Sequence, residues 1–259
     1  MSKFLKRSYI YIILAIVYIP LLFGVIYSFN QPTPKGQFNP TWTKGTFENW
    51  FHLFDNNRAM SLVNSLLLAL IVSFLVCTIS LVTVYALYRQ KNKIVRSYVS
   101  STINIPLINP DNITAIGLVL VFGIFFGVIQ TDSEGFGRVV VAHTIMTLPY
   151  AISLMLPRSE KFNNNLYEAS QDLGYSKLRS WFKTYFVYMI PSIIMSVIVA
   201  SVLSFDDFII TRTVSNMQTV GTDLYAGSFE PWGLIFGAII LVLTIIGNII
   251  YVAVKKGKK

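Results

Sequence analysis

The chain has 259 residues, 54% of them hydrophobic and 13% charged, about half the charged share of a soluble domain. With a mean hydropathy of +0.59, this excludes a soluble globular enzyme and indicates an all-α integral membrane protein. The net charge of +9 does not point to nucleic acid, because the cations flank apolar segments as topology determinants do. The single cysteine, Cys77, lies inside an apolar run, which excludes a disulfide framework and a thiol metal site.

Six apolar segments predict six transmembrane helices. The first, residues 9–29, follows Lys3, Lys6 and Arg7 and ends in Tyr27-Ser28-Phe29-Asn30. It is longer than the roughly 7–15 apolar residues of a signal peptide and lacks small residues at its end, so it is expected to stay as a helix. Residues 30–61 are polar and rich in proline, glycine and aromatics, which reads as an outer loop. The second helix covers 62–88 and is closed by Arg89, Lys91, Lys93 and Arg96. The third segment is 98–129, the fourth 139–156, the fifth 186–208 and the sixth 232–254, with a loop at 211–232. The expected division is an N-terminal helix and outer loop, 1–61, followed by a permease core, 62–259, that contains a polar loop at 158–185.

Lysine and arginine orient these spans. With both termini inside, only Lys35, Lys44, Arg58, Arg138 and Arg212 of the 21 cations fall outside, a bias that fixes topology under the positive-inside rule. The 158–185 loop then lies in the cytoplasm.

As one helix the third segment would be about 48 Å long, against a hydrocarbon core of ~30 Å. Asn109-Pro110-Asp111-Asn112 breaks it, since proline removes a backbone donor and restricts the residue before it. Broken backbone at membrane depth is tolerated where it is buried in protein or faces a wet cavity. Asp111 is therefore a candidate pathway residue, or the cap of the helix that follows; the two roles are compatible.

The polar interval that starts at Asn163-Asn164-Asn165 is built as a docking element. An asparagine can cap a short helix carrying Glu168 and Asp172 at i,i+4. Gly174 can end that helix in the left-handed conformation, and Ser176 can cap a second one bearing Lys177, Arg179 and Lys183. Glu168-Ala169-Ser170, with Gly174 four residues beyond Ser170, resembles the E-A-A-x3-G loop of ABC importer permeases. There the loop is a cytoplasmic coupling helix seated on the ATP-hydrolysing subunit. Ser170 replaces the second alanine, and the proline that should follow is displaced to Pro191.

Ser204-Phe205-Asp206-Asp207 closes the fifth segment. The two acids differ by about 100° around a helix; they either end the helix beyond the membrane or hold a cation near its outer mouth. Trp50 either belongs to an interfacial aromatic belt with Trp42 and Trp232 or stacks on a cationic ligand. His143 reads as a hydrogen-bonded core residue. No Walker A sequence and no His or Cys pair with metal spacing occurs, so the chain is not expected to hydrolyse ATP or to be an enzyme.

Along its length the chain is similar to the second permease subunit of spermidine/putrescine importers, the PotC-like proteins. The resemblance is carried by Ser28-Phe29-Asn30, Ala86-Leu87-Tyr88-Arg89, Pro110-Asp111, Glu168-Ala169 with Asp172-Leu173-Gly174, and Ser204-Phe205-Asp206-Asp207-Phe208. It implies a type I ABC importer (MetI-like) permease in a bacterial cell membrane. It also implies two copies of an ATPase that binds ATP and Mg, a second homologous permease, and an extracytoplasmic polyamine-binding protein or domain; this chain itself would carry no cofactor. Asp111, Ser204, Asp206, Asp207 and Trp50 would line the substrate pathway, and Glu168, Ala169, Ser170, Asp172 and Gly174 would couple to the ATPase. Two alternatives stay open: an ABC importer of another small solute, and a stand-alone channel or proton-coupled carrier using the intramembrane acids as a relay.

Overall fold

A computed structural model describes residues 3–109, 111–126, 135–225 and 230–256. In chain order its helices are α1 (Lys3–Tyr27), α2 (Glu48–Phe51), α3 (Arg58–Arg89), α4 (Lys93–Ile108), α5 (Asp111–Phe126) and α6 (Phe136–Glu160). They continue with α7 (Asn164–Asp172), α8 (Lys177–Trp181), α9 (Val187–Phe205), α10 (Ile209–Val214), α11 (Val220–Tyr225) and α12 (Pro231–Lys256). A π-helical turn, Phe182–Phe186, joins α8 to α9. Among the described residues the only β feature is an isolated bridge between Asn30 and Gly45.

Among the described residues three helical stretches are long and apolar enough to cross a membrane: Arg58–Arg89, Phe136–Glu160 and the continuous run Lys177–Phe205. The apolar parts of the other three expected spans, Tyr11–Tyr27, Asp111–Phe125 and Pro231–Gly247, are shorter. The third segment is divided as expected: Asn109 is extended (φ −76°, ψ 132°), and its side-chain amide donates to Thr114 Oγ1 at 3.2 Å across the break. Pro110 itself lies outside the described residues. The 211–232 loop needs correction. It contains α11 and the greater part of α10, both with buried residues. Each is only six residues long, too short for a helical period to show in the sequence.

The chain forms two compact units. One takes Met60–Thr222. Its core is built on two rows of residues four apart. Val139, His143, Thr147, Ala151, Met155 and Ser159 form a fully buried ridge along α6. Ser192, Ser196, Ala200 and Ser204 form a buried ridge of small residues along α9. Such rows interdigitate when two helices pack, and small side chains bring the backbones close where no hydrophobic force separates helix from lipid. The approach is close enough for Ser196 Oγ to donate to the Ala151 carbonyl at 3.4 Å. Leu68, Val72 and Val76 of α3, Ala115, Leu118 and Phe122 of α5, and Ile210 and Val214 of α10 complete one apolar cluster against α6. A second cluster gathers Leu81, Val84, Ile152, Met155, Phe162, Met189 and the fully buried Tyr185 of the π turn. Tyr185 Oη lies 2.7 Å from Ser159 Oγ, which donates to the Val84 carbonyl at 3.1 Å.

The other unit takes Met1–Ala59 and Asp223–Lys259, in which α1 packs on α12. Buried Asn30 ties its outer segment together: the side-chain amide donates to the carbonyls of Asn39 and Thr41, and its oxygen accepts from Thr43 N–H. Arg58 pairs with Glu230 and sits over the Trp232 ring, 5.2 Å from its centroid. Trp232 is thus buried under a cation rather than standing in a surface belt.

Candidate translocation site and coupling surface

The polar loop folds as two short capped helices joined at Gly174. Asn163 caps α7, its side-chain oxygen accepting from Asn165 N–H at 3.0 Å, and Ser176 caps α8 by accepting from Arg179 N–H at 3.4 Å. Gly174 has φ +85°. Gly174 N–H donates to the Gln171 carbonyl at 2.8 Å and Tyr175 N–H to the Ser170 carbonyl at 3.3 Å, the pair of bonds that defines a Schellman stop. Glu168, Ala169, Asp172 and Gly174 are exposed, as are the apolar side chains of Leu166, Leu173 and Leu178. Ser170 is buried, and its hydroxyl donates back to the Tyr167 carbonyl at 2.7 Å. A small residue is what this position requires, so serine serves where the related motif has alanine.

At the other end of α9 the two acids separate. The helix stops at Phe205, Asp206 is its C-cap, and Asp207 turns inward. Asp207 Oδ2 accepts from Thr211 N–H at 2.8 Å and from Thr211 Oγ1 at 3.1 Å, while Oδ1 accepts from Ile210 N–H at 3.4 Å. The carboxylate thereby satisfies the first amides of α10 and complements its positive end. His143 Nε2 lies 2.9 Å from Thr211 Oγ1 and 3.3 Å from Asp207 Oδ2, and its Nδ1 lies 2.8 Å from Ser204 Oγ. The Thr211 hydroxyl has one hydrogen, and Asp207 takes it. Nε2 must therefore carry a hydrogen and donate to Thr211, which fixes the ring's tautomer or charge on that side. The His143 side chain is 0% exposed and that of Asp207 8%.

Asp206 is exposed, and among the described residues its carboxylate has no hydrogen bond or ion pair. Arg212, the nearest cation in sequence, is exposed and pairs with neither acid; Asp207 is instead engaged by Ile210, Thr211 and His143. Gly221 lies against the same corner. A Cβ built there would be 2.5 Å from the Asp207 carbonyl oxygen and 3.0 Å from that of Asp206. Thr219 and Thr222 hold the start of α11 reciprocally, each hydroxyl accepting from the other's N–H at 3.3 and 2.8 Å, and Val220 N–H donates to Ser65 Oγ at 2.9 Å.

Asp111 is the first residue of α5 and is exposed, a favourable place for a carboxylate beside a helix N-terminus. No hydrogen bond or ion pair joins it to the doublet among the described residues. Trp50 belongs to the unit that contains α1 and α12. Its ring stacks on Phe29 at 5.1 Å and 20°, and its buried Nε1 has no acceptor among the described residues. The sequence reading therefore located the pair of short capped helices and put the two acids at the end of the fifth segment. It missed the His143–Asp207 link and the role of Gly221, since both join residues distant in the chain.

Residues 81–259 match the family described as the binding-protein-dependent transport system inner membrane component. A protein of Mycoplasma genitalium named spermidine/putrescine transport system permease protein PotC homolog is 32% identical over 257 residues, covering 95% of this chain and 89% of its own length. The chain belongs to this family and is a PotC-like permease. The PotC permease of Escherichia coli strain K12 is 25% identical over 216 residues, covering 83% of the chain and 78% of its own length. A crystal structure of a bacterial ABC transporter that imports the acidic polysaccharide alginate superposes with a TM-score of 0.68 over 99% of the permease and 98% of the matched chain. At 13% identity, that likeness concerns the fold alone. The permease is thus an all-helical, MetI-like transport subunit of the membrane.

Proposed function

We propose that the permease is one of two homologous membrane subunits of an ATP-driven importer of polyamines such as spermidine and putrescine. The observation that carries this reading is the similarity to PotC permeases at 32% identity over nearly the whole chain. The chemistry of the chain is consistent with it. Asp206 is an exposed carboxylate at the end of α9 with no cation partner among the described residues, and a passing ammonium group would supply one. At an effective dielectric of about 20, such a pair at 4 Å is worth roughly 4 kcal/mol before desolvation. Asp111 would add a second acid at a helix start, and Ser204 would act only through His143.

In this reading two copies of an ATPase hold ATP and Mg, and a binding protein or domain delivers substrate from outside. The α7–α8 knob, with exposed Glu168, Asp172, Leu166 and Leu178, seats on the ATPase. Because α8, the π turn and α9 are continuous, displacement of the knob is transmitted to α9 and to the corner it carries. The chain crosses the membrane six times with both termini in the cytoplasm. A reporter fused after Lys259 is expected to be inaccessible from outside intact cells; surface labelling would overturn this topology and the coupling role with it. The substrate reading is tested by reconstituting the complete complex with ATP inside the vesicles or withheld. Labelled spermidine should accumulate only with ATP, and an anionic solute of similar size should not. Uptake without ATP, or uptake of the anion instead, would refute it.

A further inference from the structure

The corner after α9 carries two adjacent acids in opposite circumstances. Asp207 is surrounded: its two oxygens accept from Ile210 N–H, Thr211 N–H and Thr211 Oγ1, and His143 Nε2 stands 3.3 Å away. Its side chain is 8% exposed, and the backbone of Gly221 lies against its carbonyl. Asp206 is exposed and has no protein partner among the described residues. A carboxylate engaged by α10 through both oxygens and faced by His143 cannot turn to an ammonium group without giving up bonds that hold that helix, which leaves buried donors unsatisfied.

We propose that the two acids divide the work: Asp207 and His143 are positioning residues that pin α10 and the end of α6 to the end of α9, and Asp206 alone presents charge to the transported cation. This deepens the polyamine reading and rests on it for the nature of the cation; the division itself rests on the geometry. His143 links three helices through Ser204 of α9, Thr211 of α10 and its own place on the α6 ridge. Its contribution is a set of hydrogen bonds. An amide can reproduce part of that set, and an alkyl group cannot. Asp207 likewise acts as an acceptor, a role an asparagine oxygen can take at the Oδ2 position. At Asp206 the charge itself is the function, and an amide does not replace it.

The test compares conservative and truncating variants in the complete reconstituted complex. Asp206→Asn should lower spermidine uptake about tenfold or more, leaving assembly and unfolding temperature as they were. Asp207→Asn should keep uptake within about threefold of the unmodified complex, whereas Asp207→Ala should lose about tenfold together with a lower unfolding temperature. His143→Ala should behave like Asp207→Ala, and His143→Gln should recover a large part of the loss. If Asp207→Asn fell as far as Asp207→Ala while Asp206→Asn transported normally, the charge would belong to Asp207 and the proposal would be wrong. A second measurement does not depend on the solute. In a Cys77→Ala background, Asp206→Cys should react with a cationic methanethiosulfonate about tenfold faster or more than Asp207→Cys. Equal rates would overturn the division even if the complex proved to carry something other than a polyamine. Uptake of an anion with the expected thiol rates would instead refute the polyamine reading and leave the division standing.

Discussion

Gly221→Ala is expected to abolish most transport, although it adds a single methyl group. The new Cβ would sit 2.5 Å from the carbonyl oxygen of Asp207, 2.8 Å from its carbonyl carbon and 3.0 Å from the Asp206 carbonyl oxygen. All three are backbone atoms, so no side-chain rotation relieves the clash, and one segment must move. The start of α11 is held by the Thr219–Thr222 pair and by Ser65, while Asp207 is held by α10 and His143. Overpacking a site of this kind costs about 1–3 kcal/mol. If the corner yields, Asp206 is displaced with it; if α11 yields, the Thr219–Thr222 and Ser65 hydrogen bonds that hold its start are broken and the packing behind the corner is lost. Uptake should fall about tenfold or more, with a lower unfolding temperature in detergent. Gly237→Ala, at a helical position where a Cβ meets nothing within 4 Å, is the matched control. Full transport by Gly221→Ala would mean that the corner is not rigid.

The second large effect is expected at Gly174, for a different physical reason. A Cβ there also meets nothing within 4 Å, so space is not the constraint; φ of +85° is. An L-residue with a Cβ in the left-handed region costs about 1–2 kcal/mol, and a β-branched one is less tolerated still. Asparagine adopts this conformation most readily among the alternatives. The expected order of ATP-driven uptake is therefore Gly, Asn, Ala, Val, with Gly174→Val reduced about tenfold or more. Loss of the Schellman bonds at Ser170 and Gln171 would let α8 swing relative to α7. The ATPase should then turn over without import, or lose its stimulation by substrate. Measuring ATP hydrolysis and uptake together separates these outcomes from failure to assemble. If Gly174→Val and Gly174→Asn transported equally, the angle between the two short helices would not matter.

Both positions are glycines, yet only one was legible in the sequence. Gly174 follows a polar, capped helix and precedes Ser176, a local pattern in which a left-handed stop is the obvious solution. Gly221 has no such signature, because its constraint is the backbone of residues 206 and 207, which are close in space and separated by chain. The long helices were legible for the same reason as Gly174. Unbroken apolar runs and flanking cations are local signals, as is the Asn109-Pro110-Asp111 interruption. The end of the fifth segment was placed at residue 208, three residues beyond the true stop at Phe205. That shift hid the difference between the acids: on a continuing helix they are two points on one cylinder, whereas at a helix end one caps and the other turns back. The roles of His143 and Thr211 follow only from the α6–α9–α10 arrangement, since 61 and 68 residues separate His143 from its two hydroxyl partners.

The π turn at Phe182–Phe186 has a consequence for register. A helix advances by about 100° per residue, so one residue accommodated in a wider turn rotates everything after it by about that angle relative to everything before it. The rows on α6 and α9 mesh only because Ser192, Ser196, Ala200 and Ser204 face inward. If α8 ran into α9 as an unbroken α-helix with one residue fewer, the same four positions would turn about 100° away from α6, and Ser204 would be carried away from His143. The extra residue thus sets, from some 20 positions away, the direction in which α9 delivers Ser204 and the corner that follows it. It works like the offset of a key on a shaft, fixing the phase between the α7–α8 end of this helical run and the corner at its other end.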